Sequence, residues 1–117
     1  MPSLVGSEMC IRDRFGGRCA YCGRELTSGP KGDSAYQADH LHPKYLGGSD
    51  GIENRVPACR LCNYYKRTLS VEQFREQLAL IPGRLERQAN YRLAVAHGLI
   101  IPVGKTPTFL LEGDTNE

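Results

Sequence analysis

The chain reads as a small α+β domain, and three features of its sequence predict this. Two Cys-x-x-Cys pairs, Cys19/Cys22 and Cys59/Cys62, bracket the middle of a chain of 117 residues. Between them lie two short extended segments separated by glycine-rich loops. After the second pair come stretches with apolar residues at helical spacing. A chain of this length should form one domain, with a core so small that a metal staple would stabilise it materially. Two Cys-x-x-Cys hairpins offer four soft thiolates, the full corner set of a tetrahedron, and such sites select zinc. With no corner left open, a zinc ion on Cys19, Cys22, Cys59 and Cys62 is structural. Two rival readings exist. A redox pair requires a thioredoxin-like βαβ context that is missing here, and an iron–sulfur cluster uses the same ligand type.

The elements follow in chain order. Residues 3–14 stand apart, because they resemble the translation of a transposase-type sequencing adapter through Glu8-Met9-Cys10-Ile11-Arg12-Asp13. Residues 1–14 are therefore expected to be a non-native leader, set aside in reading the fold, with the natural protein starting upstream of Phe15. Cys10 is then no ligand. The core spans 15–70. Gly23 follows the first cysteine pair and lets the backbone turn beneath a metal. Thr27 to Ser34 is a loop by composition. Ala35 to His42 should be a strand stopped by Pro43, Gly47 to Gly51 a second loop, and Arg55 to Ala58 a short strand with Pro57 at an edge. A helix is expected from Asn63, with Asn63 itself a candidate N-cap.

A helical extension follows over 71–104, and a tail over 105–117. Ser70 and Gln73 form a capping box, Val71, Phe74, Leu78 and Ile81 an apolar stripe, and Pro82-Gly83 the stop. Arg84 to His97 reads as a further helix with Leu85, Ala89, Leu93 and Ala96 inward, Gly98 after its end and His97 in its last turn, where a cation suits the dipole. Leu99 to Val103 and Thr108 to Leu111 are predicted to pair as a hairpin.

The net charge of +2 decides nothing by itself, but its distribution is uneven. Arg55, Arg60, Lys66 and Arg67 gather around the second cysteine pair, while Glu112, Asp114 and Glu117 lie in the tail. A basic cluster suits a polyanion, with Arg60, Lys66 and Arg67 the candidates for phosphate contacts. The bland alternative is a solvated face. Tyr64 and Tyr65 either stack on bases or pack. The short apolar runs rule out a membrane span and no signal peptide is visible, so a cytoplasmic location with reduced thiols is expected.

The residues between the pairs complete a longer pattern: Ala38-Asp39-His40-Leu-His42-Pro43, then Gly47-Gly48-Ser49-Asp50-Gly-Ile52-Glu53-Asn54, then Cys59-Arg-Leu-Cys62-Asn63-Tyr-Tyr-Lys66. This order resembles the HNH endonuclease family, in its four-cysteine subgroup with Asn at the third signature position. The resemblance covers Phe15 to Arg67. It implies a ββα-metal fold and hydrolysis of DNA phosphodiester bonds, RNA being left open. It implies that His40 is the general base, a role its near-neutral pKa suits. It implies that Asp39 and Asn63 hold one Mg²⁺ or Mn²⁺ ion as oxygen ligands, and that Asn54 ties the loop so that His40 is held. On a regular strand Asp39 and His40 point to opposite faces, so one site would need a twist, a bulge or a phosphate seated between them. Read without the resemblance, Asp39 is a turn or cap residue and Asn54 a loop asparagine bonding nearby backbone. His42, before Pro43, is read as loop lining and is assigned no role, a substrate contact beside His40 being the alternative. One such unit cuts one strand, so double-strand cleavage needs a homodimer, a larger phage or restriction assembly, or repeated nicking. The competing reading is a non-catalytic zinc module that binds nucleic acid.

Overall fold

The computed structural model describes residues 6–113. Its architecture is α+β: a two-stranded antiparallel sheet with helices around it. The strands are β1 (Tyr36–His40) and β2 (Arg55–Cys59), paired from Tyr36 against Cys59 to His40 against Arg55 without a break. Pro57 sits opposite Ala38 and is tolerated because a strand of a two-stranded sheet has one unpaired edge. Among the described residues five α-helices accompany the sheet: α1 (Gly6–Asp13), α2 (Arg60–Lys66), α3 (Val71–Leu85), α4 (Ala89–Ala96) and the single turn α5 (Leu110–Gly113).

The core is built on three rings. Tyr21, between the first two cysteines, meets Phe74 of α3 at 5.3 Å and Phe109 at 5.2 Å, both edge-on. Phe74 and Phe109 stack at 5.3 Å. Val56, Ala58, Cys19 and Cys59 close the cluster from the sheet side. Such ring pairs add about 0.5–1.5 kcal/mol each beyond the area they bury.

Several expectations need correction. α2 starts at Arg60, before Asn63, because the Cys59 thiol caps it by accepting the Cys62 N–H. Asn63 is therefore inside the helix and is not its N-cap. The Ser70–Gln73 capping box opens α3 as expected, but Pro82 lies within the helix, which runs on to Leu85. A proline costs a helix one N–H bond without forbidding its backbone angles. The separate helix is shorter than expected, starting at Ala89, and Gly98 follows it at φ 73° with its N–H on the Val95 carbonyl. Its predicted inward stripe is not buried: Leu93 is 57 % exposed and Ala89 and Ala96 face solvent.

The hairpin across residues 104–107 does not form. Leu99, Ile101 and Val103 are exposed, and Phe109 instead enters the core, followed by amide bonds from Leu110 to the Tyr21 carbonyl and from Leu111 to that of Ala20. Aromatic packing against Tyr21 and Phe74 outweighs what an isolated two-stranded ribbon offers. Glu112 adds an ion pair to Arg75 of α3. The described part of the leader packs against the sheet. α1 lies on both strands with Ile11 fully buried, and Arg14 donates to the Arg55 carbonyl at 2.5 Å. Residues 1–5 and 114–117 lie outside the described residues.

Candidate active site

The four sulfurs come first, because they fix the elements that carry everything else. The Sγ atoms of Cys19, Cys22, Cys59 and Cys62 all lie within 4.8 Å of one another, and Cys22 and Cys59 are 3.7 Å apart. A zinc ion bonded at about 2.3 Å to four sulfurs sets them about 3.8 Å apart, so the donor set and its spacing fit zinc. The thiols also read one another. Hydrogen bonds from Cys59 and Cys62 hold the Cys19 thiol far below its usual range, and the same contact with Cys19 pushes Cys59 up to about 11. Zinc binds these sulfurs as thiolates, so its binding releases the protons that the free cluster holds. Cys10 lies outside the group.

Cys59 ends β2 and caps α2, so the staple ties strand to helix. Across that joint run four polar side chains. Asp39 is 5 % exposed, and its Oδ2 accepts the Tyr21 hydroxyl at 2.6 Å and faces Lys66 Nζ at 2.9 Å. Lys66 Nζ also donates to the His40 carbonyl at 2.9 Å. One turn earlier on α2, the Asn63 amide donates to Gln37 Oε1 at 2.5 Å, and Gln37 shares its strand face with Asp39. Burial, then the charge of Asp39, raises the Tyr21 pKa well above its usual value, so the phenol remains a donor.

Lys66 is a correction. It was expected to meet backbone phosphate, yet it is fully buried. Its aliphatic stem runs through the core and its ammonium is the counter-ion of a buried carboxylate, which a solvated lysine could not be. Arg60 and Arg67 are exposed, with the Arg67 guanidinium 5.1 Å over the ring of Tyr64. Tyr64 is itself 67 % exposed, whereas Tyr65 leans on Phe74 at 6.1 Å.

His40 turns to the other side. Its Nε2 is 2.7 Å from Asp50 Oδ1, and its side chain is 28 % exposed. The hydrogen bond from His40, then the charge of Lys44, hold the Asp50 carboxyl below its usual range. Because β1 pairs in unbroken register, no bulge brings Asp39 and His40 to one face. They flank the end of the strand instead.

The turn after β1 is fastened by Asn54, which is 5 % exposed. Its Oδ1 accepts the His42 N–H at 3.0 Å, and its Nδ2 donates to the carbonyls of His42 at 3.0 Å and Ser49 at 2.6 Å. The two glycines are required here for different reasons. Gly47 has φ 93°, and a Cβ on Gly48 would stand 1.8 Å from the His42 carbonyl oxygen. His42 itself is exposed beside this turn. His97 caps the C-terminus of α4, away from these elements in sequence and helix alike. An apolar cavity of about 530 Å³ reaches Cys22 and Cys62 between α3 and residues 105–109, on the core side of the staple.

The HNH endonuclease family model matches residues 19–68. That segment is an HNH endonuclease-family domain. Its four-cysteine cluster fits the zinc subgroup of the family. No curated protein matches the chain. Within the HNH segment, sequence reasoning missed the contributions of Tyr21 and Asp50. Tyr21 carries a weak signal, an aromatic placed between two metal-ligand cysteines. Asp50 carries less, since an Asp in a Gly/Ser loop reads as a turn residue.

Proposed function

We propose that this protein is a metal-dependent endonuclease that hydrolyses DNA phosphodiester bonds, with zinc on Cys19, Cys22, Cys59 and Cys62 as its staple. The observation that carries the reading is the joint between β1 and α2, which places a carboxylate, Asp39, and an amide, Asn63, on facing elements beside the strand end that bears His40. Both contacts to Asp39 fall on Oδ2, so Oδ1 is the oxygen assigned to a divalent ion. The Asn63 nitrogen donates to Gln37, and its carbonyl oxygen is the atom assigned to the same task. Oxygen donors select Mg²⁺ or Mn²⁺, which when bound would stabilise charge on the scissile phosphate and leaving oxygen.

His40 takes the proton of the attacking water as its oxygen bonds to phosphorus. The P–O3′ bond breaks, and the leaving oxygen is protonated from solvent. Asn54 holds the turn that follows His40. Arg60 and Arg67 would meet flanking phosphates, which fix register without reading sequence. DNA is the proposed substrate, and thiols kept free to bind zinc suit a reducing compartment such as the cytoplasm. No helix among the described residues is long and apolar enough to cross a membrane.

One observation favours the second reading, a non-catalytic zinc module that binds nucleic acid. The Asp39 carboxylate is already paired with Lys66 and Tyr21, which is what a purely structural aspartate does. Plasmid nicking separates the two. Wild-type protein should nick with Mg²⁺ or Mn²⁺ and stop with chelator. His40→Ala should lose about 10²–10⁴-fold with zinc content unchanged. Excess Mn²⁺ should partly restore Asn63→Ala but not His40→Ala. Wild-type protein inert with every divalent ion, yet retaining DNA, would establish the binding module.

A further inference from the structure

Asp50 stands in the signature pattern without an assigned role, yet it is the side chain that His40 touches. The loop holding it is anchored on both flanks. The Ser49 carbonyl accepts Asn54 Nδ2 at 2.6 Å, and the Gly51 N–H donates to Ser49 Oγ at 2.7 Å. Ser49 Oγ in turn donates to Glu53 at 2.9 Å. Gly48 lies against the His42 carbonyl with no room for a side chain, which fixes the loop against the end of β1. The Asp50 carboxylate is thus delivered by backbone that can move little. Oδ1 meets His40 Nε2 at 2.7 Å, and Oδ2 faces Lys44 Nζ at 3.9 Å.

We infer that Asp50 is a positioning residue for His40. A carboxylate can only accept, so it holds a hydrogen on Nε2 and leaves the lone pair on Nδ1. The same bond fixes the ring plane, directing Nδ1 away from the loop. Nδ1 is then the atom that receives the proton from water. Asn54 and Asp50 divide the work: the amide secures the loop, and the loop secures the imidazole. A carboxylate holding a functional histidine ring is a general device for setting its tautomer and orientation.

The catalytic consequence rests on the nuclease reading, but the contact does not, so the experiment has two arms on the zinc-loaded full chain. The first is NMR of ring-¹⁵N-labelled histidine above the titration range of imidazole. Wild-type His40 should show one tautomer, with hydrogen on Nε2. Asp50→Ala should move both ring shifts toward those of unrestrained imidazole, while Lys44→Ala should leave them in place. The second arm is steady-state nicking. Asp50→Ala should lower kcat by about 10–100-fold, the usual effect of losing such an orienting partner, with KM for DNA within about twofold. Asp50→Asn, whose amide oxygen still accepts, should recover part of it.

Ring shifts that ignore Asp50→Ala in a folded, zinc-replete protein would overturn the inference whatever the activity. So would an active wild type, silenced by His40→Ala, in which Asp50→Ala turns over normally or alters KM alone. If wild type cleaves nothing, the nuclease reading fails by itself, and the ring shifts still decide whether Asp50 sets His40.

Discussion

Replacing Lys66 with methionine tests the assignment on which the β1–α2 joint depends. The side chain is 0 % exposed, and its partner Asp39 is 6 % exposed, 2.9 Å away. Methionine keeps the stem volume and removes the charge. It leaves a buried carboxylate with only the Tyr21 hydroxyl, and it strips the His40 carbonyl of its donor. Breaking a buried ion pair by removing one partner costs about 3–5 kcal/mol, because the remaining charge is desolvated without compensation. A domain of this size has about 5–15 kcal/mol in total, so the loss would be a large share. The assay is urea unfolding followed by circular dichroism at buffered zinc, with Lys66→Met/Asp39→Asn alongside. The double variant should recover most of the stability, since a neutral amide still accepts from Tyr21 and needs no counter-ion. Lys66→Met within about 0.5 kcal/mol of wild type, the range of ordinary surface changes, would refute the reasoning.

Three further outcomes are expected. Removing zinc with chelator, or replacing Cys59 with serine, should unfold residues 15–67 as judged by loss of amide dispersion, whereas Cys10→Ser should retain one zinc per chain by elemental analysis. Arg67→Ala or Arg60→Ala should weaken DNA binding at all sequences and reduce the salt slope by about one each, while a folded Lys66 variant should leave the slope unchanged; fluorescence anisotropy across a salt series measures both. Phe109→Ala should destabilise the protein by about 3–5 kcal/mol in thermal or urea unfolding, as for a large core side chain, although it lies beyond the HNH segment.

What could be read from the sequence was whatever lies within a few residues of itself. Each cysteine pair carries its own spacing, so the staple was legible before any fold was known. The Ser70–Gln73 cap was legible for the same reason. Lys66 was not, because its meaning depends on Asp39 and Tyr21, and in sequence it is one more cation beside Arg67. The apolar runs misled in the same way. Leu93 and Leu99 to Val103 have the pattern of buried elements, but a pattern names a face and not the surface that covers it. Phe109 found a partner in Tyr21 and Phe74, and those residues did not. His40 was legible as a residue and not as a geometry: that its ring meets Asp50 depends on a loop whose path is set by Gly48 and Asn54.

The placement of Cys62, Asn63 and Lys66 on the one short helix α2 ties structure to chemistry more closely than a staple requires. Cys59 both belongs to the sulfur cluster and caps α2, so the start of that helix is tied to the cluster. Asn63 and Lys66 are three apart and share a face, one reaching Gln37 and the other Asp39 of β1. Any movement of α2 that lets the sulfurs spread must therefore displace the amide assigned to the divalent ion and the ammonium that neutralises the carboxylate beside it. On the proposed nuclease reading, releasing the sulfur cluster would move both assigned oxygen donors, so loss of zinc should weaken divalent-ion binding as well as the fold. His40 is held from the opposite direction, by the Asp50 loop and by the Lys66 bond to its carbonyl. Asp39 and the His40 backbone thus share Lys66 at the end of β1, which is why that buried lysine matters more here than any exposed cation near it.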